Sequence, residues 1–137
     1  MFDTLLRVTP LNPDNPVEIN RQLPLFITNY YYSLKGSHNF GRSSCNYDTG
    51  SAAWFLLTVL EGLFGVKSTV NGLVLEPNIP QNWDNVSCAR NYKGSTYNIT
   101  FKRGASGIFV DGKSFDGKVL PYEQNKNYNI IYGLDKV

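Results

Sequence analysis

The chain has 137 residues, a formal net charge of +2, a hydrophobic fraction of 42% and a charged fraction of 18%. These values fit one ordinary globular unit with a modest core and exclude a disordered chain or a coiled coil. Lys and Arg are scattered along the chain, which excludes the concentrated basic footprint of a nucleic-acid binder.

The first residues, Met1-Phe2-Asp3-Thr4-Leu5-Leu6-Arg7, carry neither a basic n-region nor a continuous apolar run, so no secretory signal is expected. Pro10, Pro13 and Pro16 stand among Asn and Asp over residues 1–22 and predict an extended lead-in. Residues 24–34 read as a short helix, with Pro24 in the first turn and Gly36 after the last apolar residue. A strand over Ile27-Thr28-Asn29-Tyr30-Tyr31 is the alternative to this helix. Residues 35–47 are loop-like.

The clearest element follows. Asp48 and Thr49 are capping types. Ala52, Ala53, Trp54, Phe55, Leu56, Leu57, Val59, Leu60, Leu63 and Phe64 come next, and Gly65 supplies a stop. A helix apolar on nearly every side belongs in the interior of a larger protein. It is the first sign that this chain is part of something longer. Trp54 is expected in its core. The longest apolar run, Ala52 to Leu57, is too short to span a bilayer. A soluble, cytoplasmic protein with no membrane partner is the expectation.

From Val70 onward helical spacing stops. Strands are predicted over 73–75, 87–92, 96–102, 107–110, 118–120 and 127–132. Asn71-Gly72, Lys93-Gly94, Asp111-Gly112 and Asp116-Gly117 punctuate them as turns. Nine Tyr and eight Phe suit such β-structure or a carbohydrate-facing surface. Cys45 and Cys88 lack CxxC spacing, so no zinc site is expected. One disulfide or two thiols both fit, with reduced thiols the expected state. The sequons at Asn85 and Asn98 read as chance.

The segment Asp48-Thr49-Gly50-Ser51 carries the chemistry. A helix start leaves backbone N–H groups without intrahelical partners and adds partial positive charge. Gly50 admits a ligand close to the backbone, and Thr49 and Ser51 add hydroxyls. Together they could seat phosphate. A plain Thr cap followed by small packing residues explains the same residues.

The wider pattern narrows this choice. It runs Asn39-Phe40-Gly41-Arg42, Tyr47-Asp48-Thr49-Gly50-Ser51-Ala52-Ala53-Trp54, Leu60-Glu61-Gly62-Leu63-Phe64-Gly65-Val66, Asn71-Gly72-Leu73 and Glu76-Pro77-Asn78-Ile79-Pro80. Trp83, Tyr92-Lys93-Gly94-Ser95-Thr96-Tyr97-Asn98-Ile99 and Val110-Asp111-Gly112-Lys113 continue it. This series resembles the C-terminal part of the cellobiose, cellodextrin and chitobiose phosphorylases (glycoside hydrolase family 94-like), over roughly residues 8–133.

The resemblance implies an α+β chain: the last helices of an (α/α)6 barrel over residues 1–69, then a small antiparallel, jelly-roll-like β-sandwich over 70–137. It implies inverting phosphorolysis of β-linked di- or oligosaccharides to an α-sugar 1-phosphate, a hexosyltransferase activity. Inorganic phosphate is the co-substrate, and no cofactor or metal is expected. Thr49 and Gly50 match the Thr-Gly of the family's phosphate motif, with Ser51 in the vicinity of substrate or phosphate. The family's general acid lies in a Trp-Asn-Asp-Gly-type run that these residues lack, so no catalytic residue is assigned and the chain alone is expected to be inactive. His38 and Arg42 do not match the family's basic phosphate ligands. His38 reads as an exposed or structural loop residue, and Arg42 as a carboxylate's partner or a residue packed near the barrel mouth. Asp84, Asp111 and Asp116 read as turn residues, Glu61 as a paired or rim residue and Trp83 as packing. Two other readings remain: a non-catalytic carbohydrate-binding β-module, and a structural domain whose apolar helix docks on a partner or on itself as a homodimer.

Overall fold

A computed structural model of the chain describes residues 1–10, 12–22, 26–44 and 50–135. It is an α+β protein with few helices and mostly sheet. It divides into two units, Met1–Val59 and Leu60–Val137.

The first unit opens on two short helices where an extended lead-in was expected: α1, Phe2–Val8, and α2, Val17–Asn20. The prolines do not prevent them, because each falls outside a helix. Pro16 sits at the N-cap of α2, where its missing N–H is not needed. Asp3 in the first turn of α1 and Arg7 in its last complement the helix dipole.

The helix expected over 24–34 is absent from its described part. Residues 26–29 have no regular structure, and Tyr30–Tyr31 is strand β1, paired antiparallel with β2, Ser43–Ser44. The cause is local. Thr28 Oγ1 donates to the Tyr30 carbonyl (2.8 Å) and accepts the Tyr30 N–H (3.3 Å). A Thr side chain bonded this way replaces helical backbone bonds. Pro24 and Leu25 lie outside the described residues.

Among the described residues the interior of this unit is mostly polar. Asn15, Asn20, Gln22, Thr28 and Ser43 are buried, and among the described residues Leu5 is the unit's one buried apolar side chain. Each amide finds a backbone partner. Asn15 Nδ2 donates to the Gly41 carbonyl at 2.9 Å, and Asn20 Nδ2 donates to the Asn15 carbonyl. Gln22 Nε2 donates to the Phe26 carbonyl at 2.5 Å, and Ser43 Oγ to the Asn20 carbonyl at 2.7 Å. Buried polar groups are tolerable only when paired in this way.

Among the described residues the apolar side chains of the unit lie mostly outside. Helix α3, Gly50–Leu57, has no buried residue. Trp54 is 71% exposed and Leu56 57% exposed. Trp54, expected in the core of a larger protein, is thus exposed on this chain by itself. A π-helical stretch, Thr58–Leu63, continues α3. Gly65, with φ +66, follows it in the left-handed conformation expected of a stop.

The second unit has an apolar core. Strands β3, Val66–Thr69, and β4, Gly72–Leu75, form a hairpin. Five more strands form one sheet: β5, Asn85–Tyr92; β6, Ser95–Lys102; β7, Ile108–Val110; β8, Lys113–Phe115; and β9, Asn127–Gly133. Their order is β5-β6-β9-β7-β8. Val66, Leu73, Leu75, Tyr97, Ile99, Phe101, Leu120, Tyr128 and Ile130 are buried together.

Two hairpins close as expected from their turn residues. Lys93-Gly94 joins β5 to β6 and Asp111-Gly112 joins β7 to β8, all four with positive φ. That is the condition for a tight two-residue hairpin turn. The sheet is not wholly antiparallel, however. The β7–β8 hairpin leaves a slot beside β6, and β9 returns to fill it, parallel to β6 and antiparallel to β7. The strand expected over 118–120 is not formed. Leu120 is still buried, and its N–H donates to the Leu73 carbonyl at 2.8 Å. Burial in the strand interval raises the Tyr97 hydroxyl to about 12 and the Cys88 thiol to about 11, so Cys88 stays protonated at neutral pH. Cys45 lies outside the described residues.

Candidate phosphate site

Gly50 opens α3. It is exposed, and a Cβ added there would meet nothing within 4 Å. Its backbone is not in the left-handed region. Among the described residues nothing in conformation or packing requires a glycine at 50. A helix start is a place where an anion can be received. Thr49 lies outside the described residues.

Ser51 is tied to a distant part of the chain. Its hydroxyl donates to Asn29 Oδ1. A cleft of about 300 Å³ opens beside the helix start, lined by Asn29, Tyr30, Tyr31, Ser51, Trp54 and Phe55, among others. A second cleft, of about 440 Å³, is lined in part by Arg7, Asp14, Tyr31, Ser33, Lys35 and Phe40. Neither grouping was read from the sequence. Tyr31, Ser33 and Lys35 do alternate, as residues on one side of an extended segment must. The Ser51–Asn29 contact joins residues 22 apart, and no local pattern announces it.

His38 is exposed. Arg42 Nη1 donates to Asn39 Oδ1 at 3.0 Å, an amide in place of the expected carboxylate. Asp111 Oδ1 accepts the Asn129 N–H at 2.9 Å, tying the β7–β8 turn to β9. Glu61 and Trp83 are half-buried. Among the described residues no three His, Cys, Asp or Glu side chains gather as a metal would require. No helix among them is long and apolar enough to cross a membrane. The described residues thus place a helix start and the Ser51 hydroxyl beside one cleft.

No family model matches the chain. Individual relatives do. It is 38% identical over 98% of its length to the 3-O-β-D-glucopyranosyl-β-D-glucuronide phosphorylase of Paenibacillus borealis, covering 18% of that protein. It is 35% identical over 74% of its length to the cellobionic acid phosphorylase of Neurospora crassa, covering 13%. It is 26% identical over 90% of its length to the N,N'-diacetylchitobiose phosphorylase of Vibrio proteolyticus, covering 16%. The chain therefore spans less than a fifth of the length of these relatives. Over nearly all of its own length, the chain is homologous to the disaccharide phosphorylases of the cellobiose, cellodextrin and chitobiose phosphorylase family.

Proposed function

We propose that this chain is the C-terminal part of an inverting β-glycoside phosphorylase, in which Thr49 and Gly50 help seat inorganic phosphate. The observation that carries the reading is the 38% identity to a disaccharide phosphorylase over 98% of the chain. The first unit would be the last part of an (α/α)6 barrel. Its polar interior and the exposed apolar side chains of α3 support this, because an exposed apolar patch marks a surface that another element covers.

In this reading phosphate attacks the anomeric carbon from one face of the sugar. A carboxylic acid from a segment beyond these residues protonates the leaving oxygen on the other, the inverting arrangement with phosphate in place of water. Gly50 lets a phosphate oxygen approach the helix-start N–H groups, and the Thr49 hydroxyl donates to it. Phosphate is a co-substrate, and the chemistry calls for no cofactor. The relatives at 38% and 35% identity are named for acidic sugars, a glucuronide and cellobionic acid. They support a β-linked disaccharide bearing a carboxylate as substrate.

The test is product analysis on the full-length protein carrying this sequence. With phosphate and an acidic β-disaccharide it is expected to release an α-sugar 1-phosphate. The 137-residue chain alone is expected to release none. Phosphate-independent release of two free sugars by the full-length protein would overturn the phosphorylase reading. Sugar 1-phosphate release by the short chain would show that no further segment is needed.

A further inference from the structure

We propose that the cleft of about 440 Å³ in the first unit is the subsite for the acidic sugar, with Arg7 and Lys35 receiving its carboxylate. The inference rests on the phosphorylase reading and its acidic disaccharide.

Arg7 stands in the last turn of α1, and Lys35 follows Tyr31 and Ser33 along the segment that leaves β1. Distant in sequence, the two line one cleft. Among the described residues the ion pairs are Lys67–Glu76 and Lys126–Glu123, so no described carboxylate neutralises either cation. Asp14 lines the same cleft and pairs with neither. The lining therefore carries two positive charges against one negative. A guanidinium binds a carboxylate through paired N–H donors, and a lysine adds a point charge beside it. Asp14 suits the hydroxyls of the same sugar, which are donors that a carboxylate accepts.

The rest of the lining fits a sugar better than a bare anion. Tyr31 and Phe40 face the cleft, and Phe40 is 43% exposed. Aromatic rings supply apolar surface for the C–H face of a pyranose, and a few polar groups then fix its orientation. Buried Asn15 also lines the cleft. Its Nδ2 is committed to the Gly41 carbonyl at 2.9 Å, which leaves Oδ1 as an acceptor. The wall is held by backbone bonds: the Gly41 N–H donates to the Tyr32 carbonyl and the Tyr32 N–H to the Arg42 carbonyl, both at 2.9 Å. Gly41 has φ +83, and a Cβ there would lie 3.0 Å from Asn15 Oδ1, so the loop closes tightly on Asn15. Val8 and Tyr31 line this cleft and also the one beside Ser51. The two clefts adjoin, as the sites of two substrates that react with each other must.

The experiment compares two substrates in the full-length protein at saturating phosphate: a glucosyl-glucuronide, and the glucosyl-glucose of the same linkage, in which CH2OH replaces the carboxylate. Arg7→Gln is expected to lower kcat/KM for the glucuronide roughly 10- to 100-fold, the loss of a hydrogen bond between charged groups. Lys35→Gln should lower it roughly 5- to 50-fold. Neither variant should change kcat/KM for the neutral disaccharide, the phosphate KM or the melting temperature, and Arg7→Lys should recover part of the loss. Equal losses on the two sugars would overturn the proposal, as would an unchanged acid preference in both variants. Should Arg7→Gln disturb α1, Lys35→Gln decides alone, because Lys35 lies outside any helix. Failure of the underlying reading looks different: there the wild-type protein releases no sugar 1-phosphate or shows no preference for the glucuronide.

Discussion

Phe101→Ala is expected to destabilise the Leu60–Val137 unit by about 3–5 kcal/mol, the usual cost of emptying a buried aromatic site. Phe101 is fully buried near the end of β6, a strand paired on both sides. Its ring centroid lies 6.0 Å from that of Phe64 and 5.8 Å from that of Tyr132, so the ring joins the chain before β3 to β9 across the core. Surrounding side chains can collapse only partly into the space. Against a typical domain stability of about 5–15 kcal/mol, the loss is a large share of the total. Urea unfolding followed by tyrosine and tryptophan fluorescence measures it. A loss below about 1 kcal/mol would mean that β6 is not the centre of the core.

The two glycines at the ends of the helical segment should respond with opposite sign to the same substitution. Gly65 has φ +66, and a Cβ there would lie 2.0 Å from the Glu76 carbonyl oxygen and 2.1 Å from its carbon. The same residues are joined by the Glu76 N–H, which donates to the Gly65 carbonyl at 2.9 Å. Backbone atoms on both sides cannot rotate away as a side chain would. Left-handed strain and overpacking together predict a loss of about 2–5 kcal/mol for Gly65→Ala. Gly50→Ala meets open space at a helix start. It is expected to leave stability unchanged or to raise it by up to about 0.5–1 kcal/mol, since alanine loses less backbone freedom than glycine. Thermal unfolding of the two variants side by side decides. Equal losses would show that Gly50, too, is held by the fold, and the argument that its openness serves a ligand would fall.

Much of the second unit was legible because its strands alternate. Tyr97, Ile99 and Phe101 face inward while Asn98 and Lys102 face out. The Lys93-Gly94 and Asp111-Gly112 pairs marked hairpins that form. What escaped was weakly patterned or non-local. Val66-Lys67-Ser68-Thr69 buries only its first residue, so β3 carries no alternation. The Lys113-Ser114-Phe115 strand is a three-residue edge with one aromatic and one charge. The parallel insertion of β9 beside β6 depends on where a long connection returns, and turn residues do not encode that.

In the first unit the helix at Ala52–Leu57 was legible, and its exposed apolar side chains mark a surface that wants cover without showing what covers it. The Thr28 side chain defeated the helix expected around Ile27, a competition that propensity alone does not weigh. At the candidate site, Thr49 and Gly50 came from the ordered family motif, and Asn29 from the fold.

The account stands or falls on whether the Thr49–Gly50 seat receives phosphate. The direct measurement is steady-state phosphorolysis by the full-length enzyme and its Thr49→Val variant, with phosphate varied at saturating disaccharide. Losing one hydroxyl donor to a charged oxygen should cost about 1.5–3 kcal/mol, roughly a 10- to 150-fold rise in the phosphate KM. The disaccharide KM should stay in place. An unchanged phosphate KM in the Thr49→Val variant would contradict the account.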